Sequence, residues 1–243
     1  MIRIQPRPGT LPPALLRLSN LTSLSSREKA AVLAAMENER TLAVRKELLT
    51  EGREIAGPIL LTAGWAARVR LLADGRRQFL SFVLPGDLIG MCRQHRPLAV
   101  STVVALTQIS FCPAPSSDGL SGLAEAYAVS QALEEARLLN QILRLGRLSA
   151  LDRIADLMLE FYERLGVAGL VDGNSFAFPL TQELLADALG LTSVHVNRML
   201  QTLRRDGDLD WRGGRITIRN HAALTSKAGR VPLRVTAVSQ ADE

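Results

Sequence analysis

Between residues 41 and 113 the chain runs in short apolar stretches, LLTEG, GPILLTAGW, ARVRLLADGRRQFLSFVLPGD and VSTVVALTQISFC, each cut by Gly, Pro or Asp. That texture predicts strands. The clearest pair covers 67–72 and 78–84 around Asp74-Gly75, because Asp-Gly supplies the positive φ angles of a tight hairpin turn. Pro85, Gly86 and Asp87 end the hairpin. Several short strands at this spacing predict a small antiparallel barrel or sandwich. Ahead of them, residues 1–24 read as an irregular lead-in, since Pro6, Pro8, Pro12 and Pro13 interrupt any helix there. A short helix follows, marked by Ser25 and Glu28 at capping-box spacing, with Val32, Leu33 and Met36 on its buried side.

After Pro113 and Pro115 the strand signals stop. Residues 118–145 hold no proline, and glycine only near the ends, which predicts one long helix. Leu123, Tyr127, Ser130, Leu133, Arg137 and Leu138 fall near one another, while Val129, Ala132, Ala136, Leu139 and Leu143 form a more apolar stripe. A helix of about 28 residues is roughly 42 Å long and overhangs a domain of this size. Its stripe packs either on the preceding strands or on a second copy of the chain, and the overhang favours the second. Another helix over 149–165 places Ile154, Leu157, Met158, Phe161 and Leu165 on one face, before Gly166 and Gly169. Past Leu224 the chain shows little periodicity and reads as a mobile tail.

The segment FPLTQELLADALGLTSVHVNRMLQTLRRDGDLDWRGGRITIRN carries the most specific pattern. Thr181 caps a short helix from Gln182 to about Leu189, with Leu184, Leu185 and Ala188 inward, and Gly190 supplies the turn. Thr192 caps a second helix from Ser193 to about Arg205 with Val196, Met199, Leu200 and Leu203 buried. Two short helices joined at a glycine make a helix-turn-helix, and DWRGGRITI adds a hairpin turning at Gly213-Gly214. Ser193, Val194, His195, Asn197, Arg198, Gln201 and Arg204 are left for the outer surface. Arg can donate twice to guanine and Asn can pair with adenine in the major groove. The plainer alternative is a helical pair whose charges are only a solvated face; two caps, the glycine and the hairpin together weigh against it.

Composition narrows the picture. A chain 47% hydrophobic and 22% charged is globular rather than disordered. Its first residues hold no apolar run of signal-peptide or membrane-span length, so a cytoplasmic protein without a membrane partner is expected. A net charge of +5 favours a polyanionic partner. Cys92 and Cys112 are too few for a disulfide framework or a four-thiolate cluster and read as free thiols.

The helix-turn-helix segment resembles the Crp/Fnr regulators, whose pattern LT-x-x-x-L-A-x-x-L-G-L-T-x-x-x-V-x-R-x-L-x-x-L-x-x-x-G-x-L is matched by Leu180, Thr181, Leu185, Ala186, Leu189, Gly190, Leu191, Thr192, Val196, Arg198, Leu200, Leu203, Gly207 and Leu209. GWAARVRLLADGRRQFLSFVLPGDLIG is similar to the middle of that family's sensor barrel. The resemblance implies an α+β chain: a lead-in and cyclic-nucleotide-binding-like antiparallel β-barrel (a double-stranded β-helix) over 1–116, a dimerisation helix over 117–146, a winged helix-turn-helix over 147–224 and the tail over 225–243. It implies a homodimer, joined through that helix, that binds double-stranded DNA at an inverted repeat and regulates transcription. RNA polymerase and an unidentified small-molecule effector are further implied partners.

By the same resemblance, Ser193, Val194, Asn197 and Arg198 face the bases, with Arg198 the leading base reader, and Thr181 and Gln182 lie near a phosphate. Thr192, His195, Gln201 and Arg204 complete the expected interface, and Arg205, Arg212 and Arg215 add phosphate contacts. Val194 departs from the pattern, since well-known members carry a glutamate there. In the sensor, Gly86, Asp87 and Leu88 keep the effector turn with Asp in place of Glu, but the family's phosphate-binding arginine aligns with Ala99. The candidate effector residues are therefore Asp87, Arg93, Arg96, Ser101 and Thr102, and response to cAMP is not expected. Cys92 and His95 stand at Cys-x-x-His spacing, readable as heme or metal ligands or, more plainly, as a free thiol and a loop histidine. Neither a metal nor a cofactor is expected. No catalytic constellation is present in the pattern, so no enzyme is expected. The competing reading is a small-molecule sensor, of nucleotide, redox or heme type, whose DNA-binding domain is vestigial.

Overall fold

The computed structural model describes residues 11–73, 77–92, 94–231, 233 and 235. The expected turn at Asp74-Gly75, the candidate Arg93 and residues 236–243 lie outside them. The first element corrects an expectation. Helix α1 runs Pro13–Leu21 with Pro13 in its first turn, because proline's fixed φ suits a helix start, where its missing N–H has no partner to lose. Helix α2 (Ser26–Met36) carries the full capping box of Ser25 and Glu28. Glu28 also accepts the Leu123 N–H at 2.9 Å, tying this helix to the long one. Val32 is buried and Met36 packs beside its cluster, whereas Leu33, expected inward, is exposed.

Eight strands follow: β1 (Arg40–Leu42), β2 (Glu47–Leu49), β3 (Ile59–Ala63), β4 (Ala66–Leu71), β5 (Arg77–Val83), β6 (Leu88–Ile89), β7 (Thr102–Ala105) and β8 (Ile109–Pro113). They form two antiparallel four-stranded sheets, ordered β1-β8-β3-β6 and β2-β7-β4-β5. Leu61, Ala66, Val83, Ile89, Val103, Ala105 and Ile109 from both sheets share one buried cluster. The expected barrel is thus a two-sheet sandwich whose sheets do not close into a single ladder.

Helix α3 (Ser121–Arg147) spans 27 residues. Leu123, Ala126, Tyr127, Ser130, Arg137, Gln141 and Arg144 face the protein, while Leu139, Ile142 and Leu143 are exposed. Helix α4 (Ala150–Val167), capped by Ser149, is buried at every position from Ile154 to Phe161. A C-terminal unit packs around it: β9 (Val171–Asp172), β10 (Ser175–Ala177), α5 (Gln182–Leu189), α6 (Ser193–Arg205), β11 (Leu209–Arg212), β12 (Arg215–Ile218) and α7 (His221–Ala228). Its sheet runs β11-β12-β10-β9. Residues 225–228, expected in the mobile tail, instead continue α7 beyond Leu224, and Arg230, just past its Gly229 cap, is buried.

Because α4 is buried on all sides, its acids need internal partners. A chain of buried ion pairs supplies them. Asp87, in the turn after β5, accepts the Leu84 N–H at 2.7 Å and meets Arg17 of α1 at 3.0 Å, Arg137 of α3 at 3.3 Å and Arg164 of α4 at 2.6 Å. Arg17 also donates to the Gly86 carbonyl at 2.6 Å and to Ser130 Oγ at 3.1 Å. Gly86 has φ +90°, and a Cβ there would lie 2.6 Å from Arg17 Cδ, so glycine is required for this approach. From Arg164 the chain passes to Glu160 at 3.0 Å, on to Arg144 at 2.5 Å and then to Asp156 at 2.7 Å. Arg230 closes it, 2.6 Å from Asp156 and 2.7 Å from Glu163.

Burial alone would raise the Glu160 carboxyl, but Arg144 and Arg164 outweigh it and hold the group from 4.5 down to about 2. Burial likewise opposes ionisation of Asp87, but Arg164, Arg17 and Arg137 outweigh it and hold the carboxyl well below the usual carboxylate range. A depressed folded pKa stabilises fully above the unfolded value and loses that contribution as pH falls through the folded one. A Glu160→Gln variant is therefore expected to be less stable than wild type by roughly 3–5 kcal/mol near neutral pH. The gap should narrow as pH falls from about 4.5 toward about 2, read from urea unfolding across that range. Parallel stability curves for the two proteins would refute this.

Candidate nucleic-acid interface

Thr181 Oγ1 accepts the Leu184 N–H at 3.2 Å and starts α5. The helix stops at Gly190, whose φ of 63° is the left-handed conformation that favours glycine. Two residues later Thr192 Oγ1 accepts the His195 N–H at 3.2 Å and starts α6. Val196, Leu200 and Leu203 of α6 bury against Leu185, Ala186, Ala188 and Leu189 of α5 and against α4, with Leu184 and Met199 half-buried at the margin. Strands β11 and β12 form the hairpin expected at Gly213-Gly214.

The outer face of α6 carries Val194, Asn197, Arg198, Gln201 and Arg205, all exposed and recurring at the spacing of one helical stripe. Gln201 donates to Asn197 Oδ1 at 2.9 Å, which orients both amides on that stripe. Ser193 and His195 flank it, half-buried. The hydroxyls of Thr181 and Thr192 cap their helices, and Gln182 is half-buried in the first turn of α5. Helix starts of this kind point unpaired N–H groups and positive dipole toward solvent, which suits a phosphate.

Arg204 is placed differently from expectation. Its guanidinium donates to the Trp211 carbonyl at 2.9 Å and pairs with Asp210 at 3.1 Å, fastening α6 to the hairpin. Arg212 meets the same carboxylate at 3.0 Å and Arg219 at 3.7 Å. Asp210 is thus a positioning residue that sequence reasoning missed, since nothing in the strand pattern pairs it with a helix residue upstream. Arg205, at the end of the stripe, and Arg215, at the start of β12, are both exposed.

The unit is anchored to the sandwich. Trp65 packs tilted and Phe82 edge-on against Phe161 of α4 at centroid distances of 4.8 and 5.0 Å, and Phe178 meets Trp65 at 5.8 Å and Trp211 of the hairpin at 5.1 Å. Gln141 of α3 donates to the Ala188 carbonyl of α5 at 2.9 Å. Arg77 of β5 pairs with Asp187 of α5 at 3.2 Å.

The four candidate effector residues among the described ones are each already engaged or buried. Both Asp87 oxygens are engaged by arginines. Arg96 pairs with Glu54 at 2.8 Å on the surface. Ser101 and Thr102 are buried, and Thr102 Oγ1 accepts the Glu51 N–H at 3.1 Å. Ala99, at the family's arginine position, is buried. Cys92 and His95 are both exposed. Among the described residues no group of three or more His, Cys, Asp and Glu side chains could hold a metal ion, and no helix is long and apolar enough to cross a membrane.

Residues 152–227 match the Crp-like helix-turn-helix domain. The chain is 29% identical over 212 residues to the transcriptional activator protein FnrL of Cereibacter sphaeroides, covering 83% of this chain and 85% of that one. It is 32% identical over 167 residues to the nitrogen fixation regulation protein FixK of Bradyrhizobium diazoefficiens, covering 65% and 68%. The solved structure of FixK2 from Bradyrhizobium japonicum superposes with a TM-score of 0.70 at 26% identity, over 80% of this chain and 98% of that one. With the capped helix pair, hairpin, long helix and sandwich in the same order, the chain belongs to the Crp/Fnr family of DNA-binding transcription regulators.

Proposed function

We propose that the chain acts in the cytoplasm as a homodimer that reads an inverted-repeat operator, each α6 entering a major groove. The observation that carries this reading is the outer stripe of α6, where exposed Asn197, Arg198 and Gln201 lie opposite a fully buried apolar stripe. Arg198 is free to donate twice to guanine, and Arg205 and Arg215 supply phosphate contacts. The complete caps and the well-packed core under α6 speak against a vestigial DNA-binding domain.

Dimerisation through α3 is supported by Leu139, Ile142 and Leu143, exposed on the face turned away from the protein. Two copies joined there would set their recognition helices about one turn of DNA apart, roughly 34 Å. The buried ion pairs around Asp87 support independence from cyclic nucleotides, because a ribose hydroxyl seeking that carboxylate would have to displace an arginine from a buried pair.

Four measurements test this. Selection of bound duplexes from genomic DNA is expected to enrich an inverted repeat. Arg198→Ala should lose about 1 to 3 kcal/mol of discrimination between that repeat and random DNA, and equal losses on both would mean that Arg198 touches only backbone. Ile142→Asp should convert the dimer to monomer in analytical ultracentrifugation with helix content unchanged; a dimer that persists would place the interface elsewhere. Added cAMP should leave operator affinity and thermal stability unchanged, and a saturable shift in either would overturn the cyclic-nucleotide reading.

A further inference from the structure

We propose that Val194 reads the 5-methyl group of a thymine, so that each operator half-site carries T at the base facing the first turn of α6. The inference rests on α6 being the recognition helix and adds one base to what that helix reads. Val194 is the second residue of α6 and is 79% exposed. Leu203, nine residues on, lies half a turn round at 100° per residue and is fully buried, so Val194 points straight away from the core.

The fold gains nothing from a valine there. A β-branched side chain is a mediocre helix former, and this one packs in none of the three buried clusters. Single exposed apolar residues are ordinary on protein surfaces. This one sits in the stripe of Asn197, Arg198 and Gln201, at the N-terminal end of the helix, which contacts base edges in helix-turn-helix docking.

The chemistry of the groove selects its partner. Guanine and adenine present donors and acceptors at the centre of the major-groove edge, and cytosine a donor beside a bare C5–H, so an isopropyl group pressed on them removes water without gaining a methyl contact. Thymine alone presents a methyl. Burying one methyl is worth about fourfold in affinity, the equivalent of about 0.8 kcal/mol.

The test uses the full-length protein and the operator enriched by duplex selection. Each thymine of the half-site is replaced in turn by deoxyuridine, which lacks only the methyl, and affinity is read by fluorescence anisotropy for wild type and Val194→Ala. One thymine per half-site is expected to lose about fourfold on replacement, and about sixteenfold when both half-sites are changed. In Val194→Ala that position should become insensitive to the methyl while the remaining positions behave as in wild type. Deoxyuridine losses that are identical in the two proteins, or absent at every thymine, overturn the proposal while leaving recognition by α6 intact. Failure to enrich any sequence overturns the reading of α6 itself, and this proposal with it.

Discussion

Asp87 is the residue on which the arrangement of the helices depends. A carboxylate taken out of water is tolerated only when its charge is matched and its lone pairs are filled. Here that requires the Leu84 N–H and guanidinium groups from α1, α3 and α4. Hydrophobic burial is non-directional and would allow these helices to slide on the sandwich. A hydrogen-bonded ion pair has a required distance and angle, so one acid in a tight turn sets where three helices sit. The turn has to be tight enough for Arg17 to lie across Gly86, which excludes any side chain at that position.

The same chain of charge reaches the DNA-binding unit. Arg164 passes it to Glu160, Arg144 and Asp156 along the buried face of α4. Arg144 also donates to Gln141, which holds the Ala188 carbonyl of α5. The aromatic group of Trp65, Phe82, Phe161 and Phe178 fills the space beside it. Sandwich and helix-turn-helix therefore share one apolar core around α4, and the long helix, whose own buried apolar residues lie in a separate cluster, is tied to it by the buried contacts of Gln141 and Arg144, so that a change in the angle of α6 to α3 would rearrange buried charges. In the proposed dimer, whose recognition helices have to match the spacing of two half-sites, that coupling would hold the spacing.

What was legible in the sequence was local. The caps at Thr181 and Thr192, the turn at Gly190 and the buried positions of α6 are fixed by contacts within a few residues, and the pattern there contains its own explanation. The long helix was legible too, as were its exposed leucines, because periodicity and the absence of proline suffice. The misses were long-range or depended on position. Pro12 and Pro13 read as helix breakers because the same residue that stops a helix inside opens one at its start. The tie of Arg204 to Asp210 was not legible because that partner is found only once the hairpin folds back. Arg230 read as tail because the acids that hold it, Asp156 and Glu163, stand on α4 far upstream. An arginine in a sequence looks solvated until its carboxylate is found.

The apolar groups left at the surface differ in extent, and the difference indicates the partner. Leu139, Ile142 and Leu143 form a contiguous stripe over just more than one turn of α3, an area that only another extended apolar face can cover. Val194 is alone among amides and guanidinium groups, which matches a single methyl among polar base edges and would not hold a protein surface. The two are mechanically joined, because Gln141 and Arg144 on the opposite side of α3 grip the elements that carry α6. In the proposed dimer the stripe on α3 therefore fixes how far apart the two Val194 side chains stand, while the stripe on α6 decides what they accept. In that dimer spacing and sequence would be read by two separate stripes, with the buried contacts of Gln141 and Arg144 between them.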